Sequence, residues 1–139
     1  MKQPAFFDTN IFVYTDDDDL PEKKAIATAL IAEHQRAGLA LVSIQVLQEY
    51  FAAATRKLGV APELAQRKVE LMARLRVVRL FETDVIAAIE FHRLYPISFW
   101  DALIVHSARL GGASLLFTED MQHGDVLGGV RIINPFLAG

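Results

Sequence analysis

Short apolar segments alternate with longer amphipathic segments along most of this chain, and this alternation constrains the fold more than any other feature. The apolar segments are Ala5–Phe7, Leu39–Val42, Val77–Phe81, Ser114–Phe117 and Val130–Ile133. Strands that are buried on both faces form continuous apolar runs, and parallel strands need helical connections that cover those faces. The pattern predicts an α/β fold with three layers, α/β/α, around a central, mainly parallel sheet of about five strands.

Proline, glycine and small hydroxyl residues mark where the intervening helices begin and end. Pro21 suits the first turn of a helix and Gly38 suits the position just beyond its end. Ser43, Thr83 and Ser98 suit N-caps. The predicted helices are 22–37, 44–58, 62–75, 84–93 and 99–110. An apolar stripe that would face the core on the first helix is formed by Ala25, Ile26, Ala29, Leu30 and Ala37.

The chain shows no internal repeat and no low-complexity linker, which predicts a single domain over residues 1–139. It has no cysteine, so disulfides, thiolate nucleophiles and sulfur-ligated zinc are excluded together. The N-terminus has no signal-peptide core, and no apolar run approaches the roughly 20 residues that span a bilayer. We therefore expect a cytoplasmic protein without membrane contact.

The net charge of −3 is unevenly distributed along the chain. Residues 1–22 carry six acids and one lysine, whereas seven basic residues against two acids occupy residues 56–79. Such a basic segment is typical of a phosphate-binding surface, although a solvated helix face would have the same composition.

Four acids occupy positions at which an open α/β sheet binds ligands. Asp8 directly follows the first predicted strand, and Asp120 lies three residues after the strand that ends at Phe117. Asp101 is in the first turn of one helix and Glu49 in the second turn of another. Because helices that follow parallel strands begin at the carboxyl edge of the sheet, the four carboxylates are expected to converge there.

Clustered carboxylates repel one another unless a cation or protons neutralise them. Oxygen ligands without cysteine favour Mg²⁺ or Mn²⁺ over zinc. An ion of this kind activates water and offsets charge on a phosphodiester, so the predicted activity is metal-dependent hydrolysis of a nucleic-acid backbone.

Each acid also has a purely structural interpretation. Asp101 could belong to a capping box with Ser98, although it shares a helix face with apolar residues. Asp8 could cap a turn, Glu49 could be helix surface, and Asp120 could be a loop acid.

Other polar and aromatic features are expected to have no catalytic role. The run Asp16–Asp19 is interpreted as a solvated loop because consecutive acids point in different directions. The histidines lack the spacing of a two-histidine zinc site. Phe99 and Trp100 are predicted to be core residues rather than a platform for stacking bases.

Four segments, in order, resemble the motifs of PIN-domain ribonucleases, specifically the VapC-like toxins of bacterial and archaeal toxin–antitoxin pairs. The segments are Phe7-Asp8-Thr9-Asn10-Ile11, Val46-Leu47-Gln48-Glu49, Phe99-Trp100-Asp101-Ala102-Leu103-Ile104 and Phe117-Thr118-Glu119-Asp120. The ending Val130–Phe136 is also similar, so the resemblance covers essentially the whole chain.

The resemblance implies an endoribonuclease that uses Mg²⁺ or Mn²⁺ to activate the attacking water. It assigns Asp8, Glu49, Asp101 and Asp120 to catalysis and to the metal. The supporting residues that it implies are Asn10, Thr9, Thr118 and Glu119, and Glu119 could share or replace the role of Asp120. The basic residues expected to contact RNA are Arg56, Lys57, Arg74 and Arg76.

The same resemblance implies the partners of the protein. The substrate would be tRNA, ribosomal RNA or mRNA. The chain would form a homodimer and would be neutralised by a cognate antitoxin in an apolar groove that involves the helices at 22–37 and 44–58.

Three rival interpretations remain. A catalytically silent PIN-like module that binds RNA or protein is opposed by the presence of all four acids. A Mg²⁺-dependent phosphoryl-transfer or receiver-like domain is opposed by the lack of any lysine after Lys68. A zinc hydrolase built on His106 and His123 lacks the motif spacing.

Overall fold

The computed structural model describes residues 2–137. Its strands are β1 (Ala5–Phe7), β2 (Ala40–Ser43), β3 (Arg76–Val78), β4 (Leu115–Phe117), β5 (Val126–Leu127) and β6 (Val130–Ile133). Its helices are α1 (Thr9–Tyr14), α2 (Pro21–Arg36), α3 (Ile44–Lys57), α4 (Pro62–Met72), α5 (Glu82–Leu94) and α6 (Phe99–Leu110).

The strands form one sheet in the order β3-β2-β1-β4-β6-β5. Every neighbouring pair is parallel except β5 and β6. Strand β1 is central and fully buried, with β2 on one side and β4 on the other. The predicted α/β fold with a mainly parallel sheet is confirmed.

The helices fall into two packing groups. Helix α1 contacts α2 and α3, and α3 contacts α4, whereas α5 packs on α6. Because α6 also contacts four of the strands, the sheet lies between two helical layers. The predicted bounds of a single domain, 1–139, stay a prediction. No helix within residues 2–137 has both the length and the apolar character needed to cross a membrane.

The sheet has six strands in the described residues rather than about five, and the strand that was not predicted is β5. It has two residues and pairs antiparallel with β6 through a hairpin at Gly128 and Gly129. Both glycines have positive φ, 57° and 82°, which is the conformation that tight hairpin turns require.

Several element boundaries differ from the prediction. Strand β3 covers Arg76–Val78 rather than Val77–Phe81, because it is an edge strand whose partner β2 ends at Ser43. Helix α5 begins at Glu82 rather than after a Thr83 cap, since the Asp84 carboxylate accepts the Phe81 N–H at 2.9 Å. Helix α4 ends at Met72 rather than near Leu75.

Of the apolar stripe predicted for α2, Leu30 packs against the core, but most of the other members do not. Ala25, Ile26 and Ala29 are exposed, whereas Ala27 and His34 are buried. His34 lies between two core rings, with centroid distances of 5.5 Å to Phe7 and 5.3 Å to Phe117. A buried polar residue thus forms part of the inward face of this helix, and a search for apolar residues alone does not find it.

Candidate active site

A cleft of about 570 Å³ lies at the carboxyl edge of the parallel strands. Its lining combines all four candidate acids with two basic residues and one exposed aromatic residue. The lining residues are Asp8, Thr9, Asn10, Val13, Tyr14, Asp17, Gln45, Glu49, Ala52, Ala53, Arg56, Lys57, Leu58, Trp100, Asp101, Ile104, Glu119 and Asp120. The structure therefore brings together carboxylates that are far apart in the sequence.

Asp8 is the most deeply placed acid, with 5% of the residue exposed. It is the N-cap of α1, and its Oδ1 accepts the Thr9 N–H at 2.7 Å. Its Oδ2 accepts the Thr118 hydroxyl at 2.8 Å. Burial raises the pKa of Asp8 to about 7, opposed by these two hydrogen bonds and reinforced by the charges of Asp120 and Glu49.

Thr9 connects Asp8 to Glu49. Its backbone N–H binds Asp8, and its hydroxyl donates to Glu49 Oε1 at 2.8 Å. The other oxygen of Glu49 accepts from Gln45 Nε2 at 3.3 Å, one helical turn earlier on α3. The carboxylate of Glu49, on α3, is thus oriented by Thr9 of α1 and by Gln45 of α3 itself.

Asn10 forms hydrogen bonds with the loop that carries Asp120. Its Nδ2 donates to Asp120 Oδ2 at 2.9 Å, and its Oδ1 accepts the Glu119 N–H at 3.3 Å. The Asp120 N–H donates to Thr118 Oγ1 at 3.1 Å. Thr118 therefore supports both acids, because its hydroxyl oxygen accepts from the Asp120 backbone while its hydroxyl proton is donated to Asp8.

Asp101 uses its backbone, and not its carboxylate, for capping. Its N–H donates to the Ser98 hydroxyl at 3.0 Å, which begins α6. The carboxylate lines the cleft. Partial burial raises the pKa of Asp101, and so do the charges of Asp120 and Glu49, whereas the Ser98 side chain lowers it.

Glu119 is paired with groups outside the acidic cluster. Its carboxylate accepts hydrogen bonds from the Tyr14 hydroxyl and the Lys23 ammonium. Burial opposes ionisation of Glu119, but the contacts with Lys23 and Tyr14 outweigh it and lower the pKa. Lys23 also lies 4.8 Å from the centroid of the Tyr14 ring. Of the two neighbouring acids, it is thus the Asp120 carboxylate that accepts a hydrogen bond from Asn10, whereas Glu119 contacts Asn10 only through its backbone.

Sequence reasoning did not identify Tyr14, Lys23 or Gln45 as parts of this site. The only available signal was helical spacing, because Tyr14 is four residues after Asn10 and Gln45 is four residues before Glu49. Helix α1 was not predicted, since its six residues are too few to show a period.

The predicted RNA-contacting residues divide into two groups. Arg56 and Lys57 line the cleft near the end of α3. Arg76 is the first residue of β3, at the opposite edge of the sheet, where its guanidinium donates to the Gly111 carbonyl at 3.3 Å. Arg74 lies just before it in the chain, and neither of these two residues lines the cleft.

Two predictions about neighbouring residues are wrong. Trp100 is 60% exposed and lines the cleft, so it is not a core residue. Asp16 is not fully solvated, because Tyr50 donates a hydrogen bond to it at 2.5 Å and Lys68 pairs with it at 3.2 Å.

The two histidines of the zinc interpretation lie in separate environments. His106 bonds to Asp84 at 2.9 Å, and His123 Nδ1 accepts the Asn134 N–H at 3.0 Å. Neither residue lines the cleft.

The donor set of the cleft fits a hard divalent cation. Within residues 2–137, no three carboxylate or imidazole groups are close enough to surround one ion as they stand. Mg²⁺ does not require such a cage, because it usually keeps several waters and takes one or two carboxylates. The charges of Glu49 and Asp120 raise the pKa of both Asp8 and Asp101, so a cation would relieve a repulsion that is already present.

The sheet order and the acid-lined cleft define a class: three-layer α/β/α proteins with a carboxylate site at the carboxyl edge of the strands. The PIN domain family model matches residues 5–126, and the chain belongs to this family. No curated protein matches the sequence.

Three solved structures illustrate the likeness of this fold to known proteins. A toxin–antitoxin complex from Klebsiella pneumoniae aligns with a TM-score of 0.68 at 18% identity, over 95% of this chain and 98% of that one. VapC20 from Mycobacterium tuberculosis, described as a sarcin-ricin loop cleaving toxin, aligns with a TM-score of 0.65 at 23% identity, over 84% and 91%. DNA-bound VapBC from Salmonella typhimurium aligns with a TM-score of 0.59 at 20% identity, over 94% and 97%.

Proposed function

We propose that this protein is a metal-dependent endoribonuclease and the toxin of a toxin–antitoxin pair. The observation that carries the proposal is the cleft itself, whose lining brings four carboxylates together with Arg56 and Lys57. Membership of the PIN domain family and the likeness to VapC toxins support it. The proposed catalytic and metal-holding residues are Asp8, Glu49, Asp101 and Asp120.

The residues around these acids fix their orientation before any substrate arrives. Thr118 and the Thr9 N–H orient Asp8, the Thr9 hydroxyl and Gln45 orient Glu49, and Asn10 orients Asp120. The four acids would hold Mg²⁺ or Mn²⁺, and a bound ion of this kind lowers the pKa of water and offsets charge on a phosphodiester. Arg56 and Lys57 would receive a backbone phosphate on the adjoining part of the cleft.

The proposed partners are RNA, a cognate antitoxin and a second copy of the chain, in the cytoplasm. Two apolar grooves suit an antitoxin segment, and both flank α4. One lies between α2 and α4 and includes Ile31 and Leu71, and the other lies between α3 and α4 and includes Phe51 and Val69. The antitoxin groove was predicted to involve α2 and α3. Helix α4, which was not part of that prediction, lies between them and borders both grooves.

The test is cleavage of a pool of tRNA and ribosomal RNA by antitoxin-free protein with Mg²⁺, with Mn²⁺ and with chelator. Asp8→Asn is prepared in parallel, and Asp19→Asn serves as the matched control because Asp19 is exposed and outside the cleft. We expect discrete metal-dependent fragments from wild type and Asp19→Asn, and none from Asp8→Asn.

Two outcomes would contradict the proposal. Equal cleavage by Asp8→Asn and wild type would mean that the activity comes from another site or a contaminant. Absence of cleavage by folded wild-type protein, with RNA still bound, would favour the catalytically silent binding module.

A further inference from the structure

We propose that Trp100, which lines the cleft next to Asp101 in the chain, is a stacking platform for an unpaired nucleobase of the RNA substrate. The inference rests on the proposed function, because it concerns the substrate of that same site. Three observations support it: Trp100 is exposed, it lines the same cleft as the acids, and basic residues line that cleft as well.

The exposure of Trp100 is unusual for its helix. Residues 102–108 of α6 are all buried, whereas Trp100 leaves 60% of its surface in solvent. Burial of a tryptophan side chain removes about 150–250 Å² of surface from water, so leaving the indole exposed forgoes a large hydrophobic gain. Exposed aromatic surface at a cleft is therefore more readily explained by a ligand than by packing.

The position of Trp100 places it next to the candidate catalytic groups. It precedes Asp101 in the chain and lines the same cleft as Asp8 and Glu49. Phe99 packs against the indole at an interplanar angle of 67°, with the ring centroids 5.1 Å apart. An aromatic neighbour of this kind restricts the ring while leaving surface available to a ligand.

Acidic and basic residues share one face of α3 in the lining of the cleft. Glu49, Ala52, Ala53 and Arg56 follow one another at spacings of a single face of α3 and line the cleft together. Seven residues of helix separate Glu49 from Arg56, which is about 10 Å. Ala52 and Ala53, between them, have small side chains that leave the cleft open. A backbone phosphate bound by Arg56 and a base stacked on Trp100 would then belong to the same bound strand.

Stacking on Trp100 requires a base whose face is uncovered. In a duplex each base is covered by its neighbours, so only an unpaired or extruded nucleotide can present its π-face to the indole. Every base has such a face, so this contact selects for unpaired structure rather than for a particular base.

Trp100 is the only tryptophan of the chain, so its fluorescence reports the contact directly. The binding experiment uses the full chain with Asp8→Asn and Mg²⁺, so that RNA stays intact. The probes are a short single-stranded RNA, the same strand annealed to its complement, and the same strand with abasic sites, each dye-labelled so that polarisation reports binding. We expect saturable quenching by the single strand and much weaker quenching by the duplex and the abasic strand.

The activity experiment compares Trp100→Ala, Trp100→Phe and Phe81→Ala in the wild-type background. Phe81 is a largely exposed aromatic residue that does not line the cleft, which makes it the matched control. Because a stacked base contributes about 1–3 kcal/mol, we expect Trp100→Ala to raise KM about tenfold, with a smaller change in kcat. Trp100→Phe is expected to retain most of the wild-type value, and Phe81→Ala all of it.

The outcomes separate this inference from the proposed function. Quenching of Asp8→Asn by the single strand, together with no cleavage by the wild-type protein, would support stacking and contradict the nuclease. Metal-dependent cleavage with the same KM for Trp100→Ala and wild type, and no quenching, would overturn stacking and leave the nuclease intact. Equal quenching by single strand and duplex would also overturn it.

Discussion

Burial of Asp8 and its proposed role at the metal favour opposite protonation states of the same carboxyl group. It is nearly fully buried, close to the charges of Asp120 and Glu49, and its pKa is raised from 3.8 to about 7. Folding therefore favours the protonated carboxyl, whereas binding of a cation requires the ionised carboxylate. Such a residue is expected to lower the stability of the metal-free protein near neutral pH.

This conflict predicts how stability depends on pH. Between the unfolded pKa near 3.8 and the folded pKa near 7, the native state holds a proton that the unfolded state has lost. The contribution of Asp8 to the free energy of unfolding therefore falls as pH rises through this range and is constant above it. At about 1.4 kcal/mol per pKa unit, the loss reaches on the order of 4 kcal/mol.

Asp8→Asn removes this titration. We expect urea unfolding in chelator to show the variant gaining stability relative to wild type as pH rises from 4 to 7, with Asp19→Asn following wild type. Parallel pH profiles for wild type and Asp8→Asn would contradict the account. Addition of Mg²⁺ is expected to stabilise wild type selectively, because the ion binds the ionised form.

Among the individual residues of the cleft, the acids were easier to predict from the sequence than the side chains that orient them. Asp8 and Asp101 could be predicted because a strand end and a helix first turn place them at the carboxyl edge of the sheet. Lys23 and Tyr14 could not, since their contact with Glu119 joins positions about a hundred residues apart and follows no local pattern.

Among the elements, the loop that carries Asp120 depends on a helix that contributes no acid to the cluster. Glu119, next to Asp120, is tied to Lys23 of α2 and to Tyr14 of α1. Lys23 lies outside the lining of the cleft, so it is a positioning residue that acts through Glu119 and its neighbour.

Replacement of Lys23 tests whether its contact with Glu119 positions Asp120. We expect Lys23→Met to lower metal affinity and kcat/KM about tenfold, the size typical for loss of a partner that orients a ligand. Lys24→Met is the control, because Lys24 is the adjacent lysine and pairs with the exposed Asp18. The measurement is cleavage rate against Mg²⁺ concentration. If Lys23→Met and Lys24→Met had the same Mg²⁺ dependence, Glu119 would not position Asp120.

The elements themselves were predicted where a long pattern was available and missed where it was not. Helices α3 and α6 were predicted almost to the residue, since their N-cap serines and apolar faces are both present. Strand β5 and helix α1 have two and six residues, too few for a hydrophobic period to appear. The predicted inward face of α2 was partly wrong, because Ala25, Ile26 and Ala29 are exposed. Ala27 and His34 are buried instead, and Leu30 packs against the core as predicted.

At the scale of the whole molecule, we expect the homodimer interface to be formed by α5. Val85, Ile86 and Ile89 are 38%, 55% and 43% exposed on neighbouring positions of this helix. Its first turn is acidic at Glu82 and its last turn is basic at Arg93. Two copies packed antiparallel through α5 would therefore bury the apolar positions and bring opposite charges together at both ends.

A charge at the centre of this surface is expected to separate the copies. We expect wild-type protein to be a dimer by light scattering and Ile86→Asp to be a folded monomer. Leu64→Asp, at an exposed leucine of α4, is expected to remain a dimer. A monomeric wild type, or a dimeric Ile86→Asp, would exclude α5 as the interface.

The central place of β1 in the sheet has a consequence for the order in which the protein is made. Ala5 pairs with Ala40 on one side and with Leu115 on the other, so the first strand gains its second neighbour only from the last part of the chain. Asp120 follows that late strand. A growing polypeptide on the ribosome thus lacks both the strand that completes the sheet and the acid that completes the cleft. The activity that we propose would therefore begin only after β4 and Asp120 have emerged from the ribosome and joined β1.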